Sequence, residues 1–335
     1  MKRIITFAIL ALFVLSLAGC GSSKPAAEQK GEYKANLKLT MTQSAQHPYG
    51  LGAAKLAELV KERTNGRINI TVYNDSQLAK GEREMVEGLQ QGTIDIYVGS
   101  TGPVGNFSPS MLIVDVPFLF RDNAHVDKVL DGPIGQQLLA DLDKSGLKGL
   151  SFWENGFRHL TNSKIAVKTP DDAKGMKIRT MENKAHITAF KTAGLNPTPM
   201  AFSELYSALQ QKVLDGQENP VAVFYGAKLN EVQKYFSLTG HVYSPALVVI
   251  SGKKWQQMPK ADQDILLKAA QEVAMYERKI NRDEEEAKLK EMEGKGLVVV
   301  RDVDKAAWQK AMQPAFEEFS KQFGKDKMDA IINTK

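Results

Sequence analysis

Between Leu150 and Pro220 the chain gathers residues suited to holding an anion rather than to breaking a bond. Arg158 follows Asn155-Gly156-Phe157, and Arg179 closes the segment Gly175-Met176-Lys177-Ile178. Phe202 ends Asn196-Pro197-Thr198-Pro199-Met200-Ala201, and Asn219 ends Asp215-Gly216-Gln217-Glu218, just before Pro220. A guanidinium is a planar fork of N–H donors that meets both oxygens of a carboxylate, whereas an ammonium offers a point charge. An arginine at a strand end can equally pair with a nearby acid, here Asp171, Asp172 or Glu182. Arg158 can equally be a surface cation, the usual fate of arginine. The Asn219 amide could donate to a carboxylate or hydroxyl where a helix N-terminus adds a favourable dipole, or could simply cap that helix. Phe202 could wall the apolar part of a ligand or pack in the core. Glu218 and His241 could meet near Arg158 and link a ligand's charge to movement of the chain; a solvated acid and a satisfied core histidine are the plainer readings. His47 and Ser100 could complete a pocket from an opposite wall.

Other chemistry is excluded by what the sequence lacks. It has no Gly-x-Ser-x-Gly nucleophile elbow and no phosphate-binding Gly-x-x-x-x-Gly-Lys-Ser/Thr loop. The five histidines (His47, His125, His159, His186, His241) are scattered, with no two at short metal-ligand spacing, so no metal and no cofactor is expected. Glu218 with His241 is the sole candidate acid–base pair. A secreted organic-acid enzyme is therefore a rival reading, and the expectation is that the protein is not an enzyme. The net charge of +5 falls to +3 without Lys2 and Arg3. No basic run carries interleaved aromatics, so nucleic acid is not an expected partner.

The block Phe152-Trp153-Glu154-Asn155-Gly156-Phe157-Arg158, the run Gly175–Arg179, Asn-Pro-Thr-Pro-Met-Ala-Phe at 196–202 and Asp-Gly-Gln-Glu-Asn-Pro at 215–220, spaced as they are, closely resemble the solute-binding proteins of TRAP transporters, of the dicarboxylate-binding (DctP-like) type. The resemblance runs from about Leu37 to about Asn333. It implies an α/β, two-lobe periplasmic-binding-protein-like fold with strand hinges and a long bracing helix. It implies that Arg179 fixes a ligand carboxylate, that Phe202 lines the pocket, and that Arg158 and Asn219 face the same cleft. It implies a small carboxylate ligand, either a C4-dicarboxylate or a sugar acid, delivered to TRAP membrane permease subunits that use an ion gradient. Sialic-acid-binding relatives carry an acid where Ser100 stands, so sialic acid is not expected. A binding subunit of a sensor or of an ATP-driven importer is the alternative in the same class.

The elements that must position these residues read as two units. Asn36–Thr42 alternates as a strand, Leu51–Thr64 has a helical apolar face, Arg67–Tyr73 is β-branched, Gly81–Gln91 is a helix and Thr93–Gly99 a third strand. That order, with helix-length crossovers, predicts parallel strands with ligands at their carboxyl ends, at the Thr42–His47 and Gly99–Gly102 loops. Lys148–Glu154 reads as a strand leading to Arg158. Met176–Arg179 follows as a strand, Glu182–Ala193, Phe202–Gln211 and Pro220–Leu229 as helices, and Gly240–Ser251 as a returning strand. Lys260–Glu293 reads as one long helix, or as two broken near Asn281, with a solvated, charged second half. With ~300 residues beyond the leader, two lobes are expected: lobe I from 33–155 and 245–284, lobe II from 156–244 and 285–335.

The N-terminus is read separately. Lys2 and Arg3 precede the apolar run Ile4–Leu17, and Leu17-Ala18-Gly19-Cys20 places small residues before the single cysteine. This predicts a signal peptide over 1–19, cleaved before a lipidated Cys20, and a flexible linker over 20–32. The expected location is extracytoplasmic, lipid-anchored to the cell membrane. With no second cysteine there is no disulfide, so stability must come from the core.

Overall fold

The computed structural model describes residues 32–335, so the signal segment, Cys20 and nearly all of the linker lie outside the described residues. The predicted first unit forms. β1 (Ala35–Thr40), α1 (Pro48–Arg63), β2 (Ile68–Tyr73), α2 (Glu82–Gln91) and β3 (Ile96–Ser100) follow one another, with β1 paired in parallel to both β2 and β3. Parallel neighbours need a crossover, and the two amphipathic helices supply it. Pro48 opens α1, where a missing N–H costs nothing, and the His47 Nδ1 accepts from the Tyr49 N–H.

Residues 101–146 carry helices that the apolar periodicity did not reveal: α3 (Thr101–Val104), a 3-10 segment at Pro109–Asp115, α4 (Asn123–Asp131) and α5 (Pro133–Asp141). β4 (Leu147–Asn162) then runs 16 residues, so the strand does not stop at Glu154 but carries Arg158 within it. A second α/β unit follows: β5 (Lys177–Thr180), α6 (Lys184–Thr192), β6 (Asn196–Pro199), α7 (Phe202–Gln210) and β7 (Gly216–Asn219). After the short α8 (Val221–Gly226), β8 (Tyr235–Ser251) returns over 17 residues. The chain ends with α9 (Gly252–Gln257), α10 (Lys260–Gly294), β9 (Val298–Val300), α11 (Lys305–Phe323) and α12 (Lys325–Ile332). The last two helices also went unread in the sequence.

One sheet runs in the order β2-β1-β3-β8-β4-β7-β5-β6, with β9 beside β8. β5 is parallel to β6 and β7, as β1 is to β2 and β3. The long antiparallel pair β4–β8 joins the two parallel units. Its register slips at Gly149/Ser151, Glu154/Gly156 and Arg158/Leu160. Gly156 sits at the middle slip with φ of 114°, a backbone that side chains other than glycine's resist. These strands are the hinges of a two-lobe molecule.

Packing follows the strand period of two. Ile96, Val98, Val248 and Ile250 point to one face, against Leu56, Leu266 and Val273, while Tyr97, Leu247 and Val249 point to the other, against Met85, Leu89 and Leu139. In the second unit Leu160 and Ile178 pack on Phe190, Trp308 and Met312, and Phe224 and Phe236 pack on Leu205, Leu289 and Met292. α10 is one unbroken helix of 35 residues, about 52 Å at ~1.5 Å per residue. Its Leu266–Val273 stretch belongs to the first unit's core and its Leu289 and Met292 to the second's.

The expected solvated face of α10 is corrected at its centre. Glu277 and Arg278 are buried. Glu277 Oε2 accepts the Glu154 N–H at 2.8 Å, Asn281 Nδ2 donates to the Glu154 carbonyl at 2.9 Å, and Arg282 binds the Glu154 carboxylate. The helix thus satisfies the backbone groups that the bulge at Glu154/Gly156 takes out of the ladder.

Candidate functional site

Arg179 leaves β5 near its carboxyl end and is 1 % exposed. Its Nε donates to the Met200 carbonyl at 2.9 Å, the guanidinium carbon lies 5.8 Å from the centre of the Phe202 ring, and Nη1 has no partner within the protein. The neighbouring acid Asp172 is exposed and accepts from the Lys168 and Thr169 N–H groups instead. Burial, with Arg158 adding to it, pushes the Arg179 guanidinium down to about 10. It stays a cation at neutral pH.

Arg158 on β4 is fully buried and already engaged. Nε donates to Glu218 Oε2 at 2.5 Å and Nη2 to Glu218 Oε1 at 2.8 Å, to the Glu218 carbonyl at 2.6 Å and to Asn219 Oδ1 at 3.0 Å. Nη1 is left without a partner. Burial alone would raise the Glu218 carboxyl; Arg158, His186 and His241 outweigh it and hold it well below the usual carboxylate range. His241 on β8 is fully buried, with Nε2 3.2 Å from Glu218 Oε2 and Nδ1 2.8 Å from Thr239 Oγ1. Burial, the largest influence on His241, lowers its pKa and keeps it neutral. Glu218, His241 and Arg158 therefore meet; Glu218 is not a solvated acid, and His241 is a core histidine satisfied on both ring nitrogens, one of them by Glu218.

Asn219 is buried at the end of β7, with its Nδ2 donating to Gln217 Oε1. It does not cap α8. That helix begins after Pro220, has six residues and has no side-chain cap. Asn219 orients Arg158 through its oxygen. Phe202 opens α7 half-buried, with its ring toward Arg179.

From the other unit, Ser100 ends β3 at 2 % exposure; its hydroxyl pairs with Ser244 at 2.8 Å and accepts the Gly102 N–H. His47 is buried against Tyr49, and its Nε2 and the Tyr49 hydroxyl have no partner. Burial, then Lys288, lowers His47 to about 3, so the ring is neutral. It borders an open groove of about 1040 Å³ that also touches Ala222, Tyr225 and Lys288.

Several residues went unnoticed in the sequence. Glu82, in the first turn of α2, accepts from the Tyr97 hydroxyl at 3.4 Å. Burial raises its pKa against the opposing pull of Arg179 and Arg158. An acid at the start of a helix is ordinary, which hid it. Asn183 caps α6 with its oxygen, while its Nδ2 is buried and unpartnered. The two units touch across the gap, with Ser203 Oγ donating to the Lys80 carbonyl at 2.7 Å and Asn106 Nδ2 to the Glu182 carbonyl at 2.7 Å.

The arrangement has one buried guanidinium unmatched by a carboxylate of its own and a second one paired. Buried polar atoms normally find partners, and Nη1 of both arginines, Asn183 Nδ2 and the Tyr49 hydroxyl have none within the protein. Among the described residues no group of His, Cys, Asp and Glu is placed to hold a metal ion, and no helix is long and apolar enough to cross a membrane.

The family described as bacterial extracellular solute-binding protein, family 7, matches residues 39–322. A TRAP periplasmic solute binding protein from a Polaromonas species, bound to D-erythronate, is 46 % identical, with a TM-score of 0.88 over 90 % of this chain and 99 % of its own. Another from Sulfurospirillum deleyianum, with bound succinate, is 37 % identical, with a TM-score of 0.85 over 90 % of this chain and 99 % of its own. The 2,3-diketo-L-gulonate-binding periplasmic protein of Escherichia coli is 40 % identical over 90 % of both chains.

Proposed function

The chain belongs to the family 7 bacterial extracellular solute-binding proteins, the solute-binding proteins of TRAP transporters, and from that premise we propose that it captures a small hydroxylated or keto monocarboxylate between its lobes. It is a binding protein for organic acids and not an enzyme.

One observation carries the choice of a monoacid. Arg158 is held by Glu218 through both carboxylate oxygens, so Arg179 is the guanidinium left for a ligand. A single carboxylate gripped by Arg179 is compensated. A second carboxylate would meet Glu82, whereas a hydroxyl could donate to it. Ser100, Tyr49, His47 and Asn183 offer further partners for hydroxyl or keto oxygens. Phe202 walls the carbon chain. The dicarboxylate reading retains one support, the unpartnered Nη1 of Arg158.

We draw the lobe boundary along β4 and β8, near 155/156 and 244/245, with the β4–β8 pair flexing and α10 bracing both lobes. Closure over the anion shifts the population toward the compact form, which then docks on a membrane permease. We further propose that residues 1–19 are removed and that Cys20 carries the lipid anchor. Acyl chains stabilise membrane attachment by about 0.8 kcal/mol per buried methylene. The Cys20→Ser variant is then expected in the soluble fraction of fractionated cells; persistence of that variant in the membrane fraction would refute the anchor.

The ligand class is tested by thermal unfolding with D-erythronate, 2,3-diketo-L-gulonate, D-glucuronate, succinate and malate. A ligand at 100 times its Kd adds about 2.7 kcal/mol to the native state, which moves the melting temperature by several degrees. At least one hydroxylated or keto monoacid is expected to give a larger rise than either dicarboxylate. Succinate or malate binding more tightly than every monoacid would overturn the reading.

A further inference from the structure

His186, in the first turn of α6, is fully buried, and its N–H donates to the capping Asn183 Oδ1 at 3.1 Å. Its ring stands between two carboxylates. Nε2 lies 3.5 Å from Asp115 Oδ1 and Nδ1 lies 3.8 Å from Glu218 Oε1. Neither ring nitrogen has a closer hydrogen-bond partner, and Asp115 Oδ1 has none at all. By the lobe boundary proposed above the two acids fall on opposite sides of the hinge. Asp115 ends the 3-10 segment whose Ile113 and Val114 share a core with Met85 and Leu89 of α2 and with Ala185 of α6, and its Oδ2 accepts from Thr101 in the first turn of α3. Glu218 belongs to β7 and holds Arg158.

We propose that His186 is a positioning residue that, as an imidazolium, ties Asp115 of the first lobe to Glu218 of the second, so that closure of the lobes on the anion is coupled to uptake of a proton. This rests on the reading that the lobes close over an anion, though not on which acid is bound.

The argument is one of donors. A neutral imidazole carries a single N–H, so one of its two nitrogens would turn a lone pair toward a buried carboxylate. The imidazolium turns a donor to each. Without it, two buried carboxylates would share one neighbourhood with no cation between them. Arg158 and His241 also face this cluster. Arg158 is aligned on Glu218, and His241 meets the other Glu218 oxygen as a neutral ring. α11 packs on α6 through Trp308, Met312 and Ala315 against Ala189 and Phe190, which keeps water away. Burial pulls the His186 pKa down, and Asp115 with Glu218 overcomes it, leaving it raised. Opening of the lobes removes Asp115 and returns the ring toward its ordinary value of about 6.5. The sign follows: closure gains from His186 below that ordinary value, and the gain is lost as pH rises through the raised one.

The test uses the soluble Cys20→Ser protein and two probes, D-erythronate and succinate. Calorimetry in buffers of different ionisation enthalpy counts protons taken up on binding. Near neutral pH, up to about one proton per anion is expected for the unaltered site, and none attributable to this position in His186→Gln. Asp115→Asn keeps the histidine but removes one carboxylate, and should cut the uptake as well. Both variants should lose about tenfold in affinity at about pH 6 and little at about pH 9. A second arm needs no ligand. Spin labels at Glu62→Cys and Lys191→Cys, on exposed helical sites of the two lobes, report the inter-lobe distance, and the short-distance fraction should shrink as pH rises, except in His186→Gln. Binding of either probe with equal proton uptake in the parent and both variants, or inter-lobe distances whose pH response survives His186→Gln, overturns the proposal. Tighter binding of succinate than of D-erythronate would count against the monoacid reading alone.

Discussion

Replacing Arg179 with lysine is expected to weaken binding of the cognate acid at least tenfold, with the melting temperature of the ligand-free protein little changed. The lysine keeps a positive charge, so the loss isolates geometry. Arg179 is placed by three independent features: the end of β5, the Nε bond to the Met200 carbonyl and the ring of Phe202. These leave the outer edge of the fork, including Nη1, free to meet a carboxylate at two points. An ammonium loses the second point and cannot present the planar fork that the Met200 carbonyl and the Phe202 ring hold in place. A tenfold loss corresponds to about 1.4 kcal/mol. Arg179→Ala should remove measurable binding. Calorimetry showing unchanged affinity in Arg179→Lys would mean that the anion is held elsewhere.

The Glu218→Gln variant should be destabilised by about 3 kcal/mol, at the lower end of the range for breaking a buried ion pair. The pair is fully buried, and removing its acid leaves the Arg158 charge with amide and carbonyl oxygens alone. The glutamine oxygen retains one hydrogen bond, which keeps the loss from being larger. Urea unfolding measures it; a change below about 1 kcal/mol, typical of exposed pairs, would show that the pair is solvated in solution. The variant should also change preference. With Glu218 neutral, Arg158 becomes a second unmatched cation, and succinate should gain relative to D-erythronate. The pH dependence has a definite sign. The Glu218 carboxyl is held well below its ordinary range in the folded state. Its stabilising contribution is therefore complete above the unfolded value of about 4.3 and is lost as pH falls toward the folded one. Stability below about pH 4 should fall less steeply in Glu218→Gln than in the parent.

The first parallel unit could be read from the chain because its strands and helices carry clean periods of two and near four, and because a β-α-β order admits few topologies. Leu37, Leu39, Leu56, Ile96 and Val98 all occupy the core that this pattern implies. The long β4 could not be read to its end. Glu154, Asn155, Arg158 and His159 interrupt its apolar run, and they are tolerated because Glu277, Asn281 and Arg282 of the distant α10 satisfy Glu154, Glu218 of β7 satisfies Arg158, and Ser244 and the Gly240 N–H of β8 meet Asn155 and His159. The helices between Thr101 and Asp141, and the last two helices, were hidden for a similar reason. Their apolar faces are short and are completed by partners far away in sequence, as when Phe319, Met328 and Ile331 join Met85 and Leu247.

The same division holds at the site. Residue chemistry and spacing by themselves determined the inventory, two guanidinium groups, an amide and an aromatic ring suited to holding an organic anion, and the resemblance those motifs carry implied the class of ligand. Which arginine is free and which is already paired was decided only by the tertiary structure, because charge pairing depends on distance in space. Arg158 and Glu218 are 60 residues apart, and the Nε–Oε2 gap between them is 2.5 Å. Glu82, Asp115 and His186 leave no trace as a pattern, since each comes from a different element and acquires its meaning only when the two lobes bring acids and cations into one place that excludes water.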